Sequence, residues 1–424
     1  MTLTLAHTVE IGEIDNKTDF TSRVLGFTVQ QMARPQRVNP NRAIITLDNN
    51  DGALTPNAGG TYDGVDWFSQ GVFIETTVNG GSSQVLFHGI VDDFALADTG
   101  TNSTVQIVAL DWVAIFGRLA PKDYSGLLQQ GPGTAIGYTI SLKLSGPDDM
   151  VKLGGTGALR GVGLYGNDNV DVPLQITATS DQFITDVLQN DVMAPDLCVA
   201  YGGKIGHISA TDTTVYYPVI IGNTLTRSLT SEQADTLNTF TFTGATPTAG
   251  QLPISEAITG YNIEELVNTV YSTRDGGTTQ TVQDTTSADK YGARSYSTSQ
   301  HAATTDTATL NGATNIVNRL STSRFTAQQI RFDTALLANT PAGSATQLEL
   351  LLDVDTALWQ PCEITYTPTG AASSITDTNV IYGRQIRATA NGTSFVLELL
   401  PAADYSSLVL DSSTLGVLDT NRLG

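Results

Sequence analysis

Apolar and polar residues alternate in short runs along this chain, and turn residues punctuate them. Val72–Val78 puts Val72, Ile74, Thr76 and Val78 on one face, the period of a half-buried strand. Asn79-Gly80-Gly81 then reads as a hairpin turn into a strand over Val85–Val91. Thr2–Val9, Phe27–Gln31, Ala43–Asp48 and Thr104–Leu110 read as further strands, with turns at Asn49–Gly52 and Asp98–Asn102. So many turn-punctuated strands in residues 1–122 argue for a small barrel or sandwich.

The texture changes over residues 123–235. Gly- and Pro-rich stretches surround 126–173. Thr179–Asp191 then carries Phe183, Val187 and Leu188 at helical spacing, with Thr179 or Ser180 as N-cap. Leu197–Ile208 reads as a hairpin turning at Gly202-Gly203. This section is expected to be an inserted α/β module.

Strands resume over 236–404. Leu266–Arg274 and Thr278–Asp284 flank Asp275-Gly276-Gly277 as a hairpin. A helix is expected near 305–321: Leu310, Ile316, Val317 and Leu320 share a stripe, and Arg319 meets the dipole at its C-terminus. Arg324–Asp333, Thr346–Leu352, Cys362–Tyr366, Asn379–Ile386 and Thr393–Leu400 read as strands. The late unit echoes the early one, because each places an aromatic and a glycine inside its second long strand: Phe87 and Gly89 early, Tyr382 and Gly383 late. A glycine there marks a bulge or a close backbone approach. The echo is compatible with two related barrels in one chain, or with chance likeness between β units. Residues 405–424 form a last apolar strip, Leu410-Asp411 and Leu418-Asp419 around Gly416. Such a strip has to dock on its own barrel or on a neighbour.

Composition agrees with strands. Only 15% of the 424 residues are charged, against about 25% in an average soluble protein. The formal charge is −21, from 21 basic and 42 acidic residues, so phosphate-clamping nucleic-acid binding is disfavoured. An acidic wall repels DNA and suits a conduit; acidity also serves plain solubility. Cys198 and Cys362 lie far apart in sequence, which argues against a disulfide framework or a metal cluster and fits assembly in a reducing cytoplasm. His7 and Glu10 interrupt any signal-peptide pattern, and no apolar run reaches membrane-spanning length, so no membrane insertion is expected.

Arg42–Pro56, Leu86–Asp92, Ala109–Trp112, the stretch from Asn268 to Arg294 and the closing segment resemble, in order and spacing, the minor tail and tail-hub proteins of bacteriophages. The resemblance implies a mainly β (α+β) chain with two tail-tube-like β-barrels plus the inserted α/β module. It also implies a structural virion protein at the distal end of the tail, a homotrimer presenting six barrels. Such a tip or baseplate hub joins a sixfold tail tube, or a distal tail protein, to a fibre or spike. Genomic DNA passes through it without specific binding.

The chemical motifs are weak by comparison. Gly161–Gly166 satisfies GxGxxG but lacks the strand before it and the helix after it that a dinucleotide site needs. Asp48–Thr55 resembles a calcium loop, yet with Gly52 at the invariant glycine the first ligand position falls on Leu47 and the last on Ala58, so a tight turn is the better reading. His7, His88, His207 and His301 are isolated, with His88 read as a strand-wall residue. The pairs Asp92-Asp93 and Glu264-Glu265 are adjacent, and neighbours on a strand point to opposite faces, against a glycosidase couple. No catalytic, cofactor-binding or metal residue is nominated, no cofactor is expected, and the chain is read as a non-enzyme. The residues expected to matter are packing residues: Leu47, Phe87, Gly89, Trp112, Tyr382, Gly383 and the Leu410–Leu418 strip. The runner-up is a peripheral receptor- or glycan-binding tail protein using Trp67, Trp112 and Trp359; a wall-cleaving enzyme is a third reading.

Overall fold

The computed structural model describes residues 3–13, 16–33, 40–111, 114, 124–128, 159–162, 174–178, 199–207, 214–221, 239–261, 266–274, 276–299, 305–354, 356–358 and 360–401. Everything below concerns those residues. The helix expected at Thr179–Asp191, most of Gly161–Gly166, and the 405–424 strip lie outside them, as do Trp112, Cys198, Glu264, Glu265, His301 and Trp359.

The first part of the chain forms β1 (Leu5–Glu13), β2 (Asn16–Asp19), β3 (Val24–Met32), β4 (Arg42–Asp48), β5 (Gly71–Val78), β6 (Ser83–Asp98) and β7 (Ser103–Leu110). Five strands follow: β8 (Tyr124–Leu128), β9 (Leu159–Val162), β10 (Leu174–Ala178), β11 (Val199–His207) and β12 (Thr214–Ile221). They make two small sheets, β10-β8 and β11-β12-β9. The expected hairpin at Gly202-Gly203 is corrected here. β11 runs through both glycines and pairs with β12, its register shifting between Gly202 and Ile205. The glycines mark a bulge, which needs their backbone freedom as much as a turn would.

The last part holds β13 (Phe240–Thr243), β14 (Leu252–Pro253), β15 (Glu256–Tyr261), β16 (Thr269–Thr273), β17 (Gln280–Gln283) and β18 (Ser295–Ser299). Then come β19 (Phe325–Asp333), β20 (Pro361–Tyr366), β21 (Ile375–Thr389) and β22 (Gly392–Pro401). The helices are α1 (Thr285–Tyr291), α2 (Asp306–Leu320), α3 (Thr334–Leu337) and α4 (Ala345–Leu352). Thr346–Leu352, expected as a strand, is therefore α4. Leu348, Leu351 and Leu352 are its buried residues, spaced three and four apart, so the 3.6-residue period wins over β alternation. The hairpin around Gly276 is as expected, with β16 antiparallel to β17. β18 joins the other edge of β16, and α2 covers the three-stranded sheet through Ala313, Ile316 and Val317 against Val270. Leu310, read as part of that stripe, faces outward instead.

The chain is mainly β, as expected. Fourteen strands from the first and last parts form one sheet over one continuous core. The order in the first part is β2-β1-β5-β6-β7-β4-β3; in the last part it is β14-β13-β20-β21-β22-β19-β15. Ranked by position in sequence, both read 2-1-5-6-7-4-3. Strand direction also matches, except that β13 is parallel to both its partners where β1 is antiparallel to both of its own. The two expected barrels are thus two seven-stranded halves with one topology. Neither closes into a barrel among the described residues, because the outer edge of β3 pairs with β21 of the other half.

Alternation fixes the faces. In β4, Ala43, Ile45 and Leu47 are buried, while Ile44 and Thr46 on the other face are only half-buried. Each such apolar side chain contributes about 1.5–3 kcal/mol when fully buried. The β5–β6 hairpin turns on Asn79 (φ 53°) and Gly80 (φ 68°), the left-handed pair that matches strand twist.

Candidate functional site: the joint between the two halves

The joint is built by one strand that changes partners. Along one edge β21 follows β22 for most of its length. Along its other edge, residues 375–380 pair with β20 and residues 383–389 pair with β3. Tyr382 sits at the changeover, bulged out of the β22 register between Ile381 and Gly383. Ile381 N donates to Gln360 O (3.2 Å), on the β20 side, while Tyr382 O accepts from Ala33 N (2.9 Å), just past the end of β3. A bulge lets one strand serve both neighbours without losing either ladder.

Arg384 follows immediately, and it is 2% exposed. Its Nε donates to Gln31 Oε1 on β3, one terminal nitrogen donates to Leu351 O on α4, and the other donates to Leu86 O on β6 (3.1 Å). Gln31 and Leu86 belong to the first half, Leu351 to the second. A guanidinium is the side chain that can reach three acceptors in one plane, and burying it is tolerable only with such partners.

Other contacts tie the halves together. His7 on β1 bonds Thr76 Oγ1 (2.8 Å) with Nδ1 and Thr393 Oγ1 on β22 (2.8 Å) with Nε2. Burial lowers its pKa from 6.5 to about 4, so the ring is neutral near pH 7 and offers one donor and one acceptor. Val354 N, just past α4, donates to Val85 O on β6 (2.7 Å).

The expected packing residues lie in this framework. Leu47 and Phe87 are in the core, and Tyr382 is buried at the bulge. Gly89 pairs regularly with Val72 and marks a close approach instead: an added Cβ would strike Leu110 O and the Phe87 ring (2.6 Å). Gly383 follows the bulge, where a Cβ would meet Glu398 Cβ at 3.2 Å. Sequence reasoning missed Arg384 and Gln31. An arginine inside a strand-like run between apolar residues, Ile381–Ile386, was the available signal.

The chemical candidates resolve into structure. Asn49 Oδ1 accepts from Leu54 N (2.7 Å), and its Nδ2 donates to Thr55 Oγ1 (3.0 Å), so the Asp48–Thr55 loop is a self-bonded turn. Asp51 pairs with Arg23 (2.6 Å), which holds its carboxyl down to about 2. Asp92 falls at a register shift of β6, and Asp93 caps its own neighbour, Phe94 N (2.9 Å). His88 packs edge-on to Phe73 inside the wall. Trp67 is buried against Phe20, Tyr62 and Phe94, stacking on Phe94 at 5.1 Å. Cys362 is buried, which pushes its thiol pKa up and away from reactivity. His207 lies on β11. Among the described residues no group of three or more His, Cys, Asp or Glu is placed to hold a metal ion, and no helix is long and apolar enough to cross a membrane.

The chain matches no protein-family model, and it matches no curated protein. Its fold does match solved structures. A tail protein from Neisseria meningitidis aligns over 94% of this chain and 99% of its own, with a TM-score of 0.54 at 10% identity. A 43 kDa prophage tail protein from Shewanella oneidensis aligns over 94% and 99%, with a TM-score of 0.49 at 10% identity. A prophage tail protein from Listeria monocytogenes aligns over 92% and 94%, with a TM-score of 0.45 at 9% identity. Across nearly its whole length, the chain has the fold of the Neisseria tail protein.

Proposed function

We propose that this chain is a structural tail-tip or baseplate hub of a phage-like particle, acting as a homotrimer around an axial channel. One observation carries the reading: two halves with the same seven-strand order, joined side by side in one sheet. A protein that presents the same unit twice converts threefold placement into sixfold contact. That is what a joint between a sixfold tube and a threefold tip requires. The tail-protein fold supports it. The acidic balance, −21 overall, suits a passage through which DNA slides without being held. On this reading the chain works at the distal end of the virion tail, contacts a tube or distal tail protein on one side and a fibre or spike on the other, and performs no catalysis.

The peripheral glycan-binding alternative relied on exposed tryptophans, and Trp67 is a core residue. Light scattering on the purified chain separates the two readings. A mass three times 44.8 kDa supports the hub; a monomer at every concentration supports the alternative.

A further inference from the structure

The internal joint is one example of a contact for which the chain carries a second, unfilled set of parts. In the joint, the third strand of the first half, β3, lies along the far portion of the sixth strand of the second half, β21. The equivalent third strand of the second half is β15, and the equivalent sixth strand of the first half is β6. β15 pairs with β19 alone. β6 pairs with β5 over residues 83–90 and with β7 over 90–98. The β5-side edge of residues 91–98 therefore has no strand on it among the described residues, and β11 passes near β6 without joining its ladder.

Both edges are built to be covered. Exposed strand edges are normally protected by Lys or Pro, and neither β15 nor residues 91–98 contains either. Both present apolar side chains to solvent: Ile258 (38% exposed) and Tyr261 (62%) on β15, Leu96 (40%) on β6. The two edges belong to opposite halves, so one chain cannot fill both from a single joint.

Resting on the hub reading above, we propose that β15 of one copy pairs antiparallel with residues 91–98 of β6 in the next, repeating between chains the β3–β21 joint within each chain. The contact is head-to-tail and every copy carries one of each edge, so it propagates until a ring closes. The occupant of each edge is a second copy of this same chain.

The test blocks one edge at a time. Proline is placed at Ala95 or Leu96 for β6, and at Ala257 or Ile258 for β15. Adjacent positions are used because successive N–H groups point to opposite edges, so one member of each pair spares the existing ladder. The member that keeps the parent's melting temperature is taken forward. Each blocked variant alone is expected to lose assembly by about tenfold or more in association constant. Mixed in equal amounts, the two have one good edge each and are expected to stop at heterodimers. If either variant dimerises alone, or rings persist, the pairing is wrong while the hub reading stands. If the unmodified chain never assembles, both fail. Amide exchange on the unmodified chain gives the second readout: protection of 92–98 and 256–261 should appear together on assembly, and free exchange at both in an assembled ring would overturn the pairing.

Discussion

Arg384 on β21 donates its Nε hydrogen to the side-chain oxygen of Gln31 on β3, across the line where the two halves meet. With its bonds to Leu351 O and Leu86 O, this guanidinium touches three elements at once. Arg384→Met would leave three acceptors without their charged donor. Each orphaned buried acceptor costs about 1–3 kcal/mol, and partial rearrangement offsets some of it, so a net loss of roughly 2–4 kcal/mol is expected in urea unfolding. Arg384→Lys should recover only part of that, since an ammonium cannot reproduce the planar fork. A neutral Met variant would show that the joint rests on packing alone.

The two glycines of the echo should respond differently. Gly89→Ala drives a methyl into Leu110 O and the Phe87 ring, where backbone has to move. An overpacking cost of about 1–3 kcal/mol follows. Gly383→Ala meets the nearest atom at 3.2 Å, the Cβ of Glu398, and should cost less. Thermal unfolding of the pair orders them; a larger effect at Gly383 would contradict the assignment of Gly89 as the tight contact.

His7 makes the joint sensitive to acid. Its folded pKa, about 4, lies below the unfolded value near 6.5, so the unfolded chain binds the proton first as pH falls. Stability contributed by the neutral ring is complete above about pH 6.5 and is lost progressively down to about pH 4, to a total of roughly 2–3 kcal/mol. His7→Gln should flatten that part of the stability-versus-pH curve, because an uncharged amide has no proton to gain there. An unchanged slope would place the sensitivity elsewhere.

Residues 405–424 lie outside the described structure, and the expectation attached to them is one of assembly. Deleting them should leave a chain that folds with unchanged strand signal in circular dichroism but associates poorly. Truncated chains that assemble as well as intact ones would contradict a docking role.

Much of the architecture was legible because strands announce themselves by alternation and turns by Gly, Asn and Asp. Val72–Val78 and Asn79-Gly80 needed no tertiary information. The echo between Phe87–Gly89 and Tyr382–Gly383 pointed to the repeat that the strand order makes explicit. What failed was local ambiguity: Thr346–Leu352 has a short apolar run compatible with either period, and packing against the sheet decided for helix. The joint itself was not legible. Gln31 and Arg384 are 353 positions apart, and neither residue type signals burial on its own. Nor could sequence say that the two halves share a sheet, because strand edges carry no side-chain signature of their partner.

End-on images of the assembled particle test the central claim most directly. The account predicts three copies around an axial opening, with six similar lobes at equal spacing and every chain contributing two. Particles showing one such lobe per chain, or copies placed away from the central axis, would contradict it.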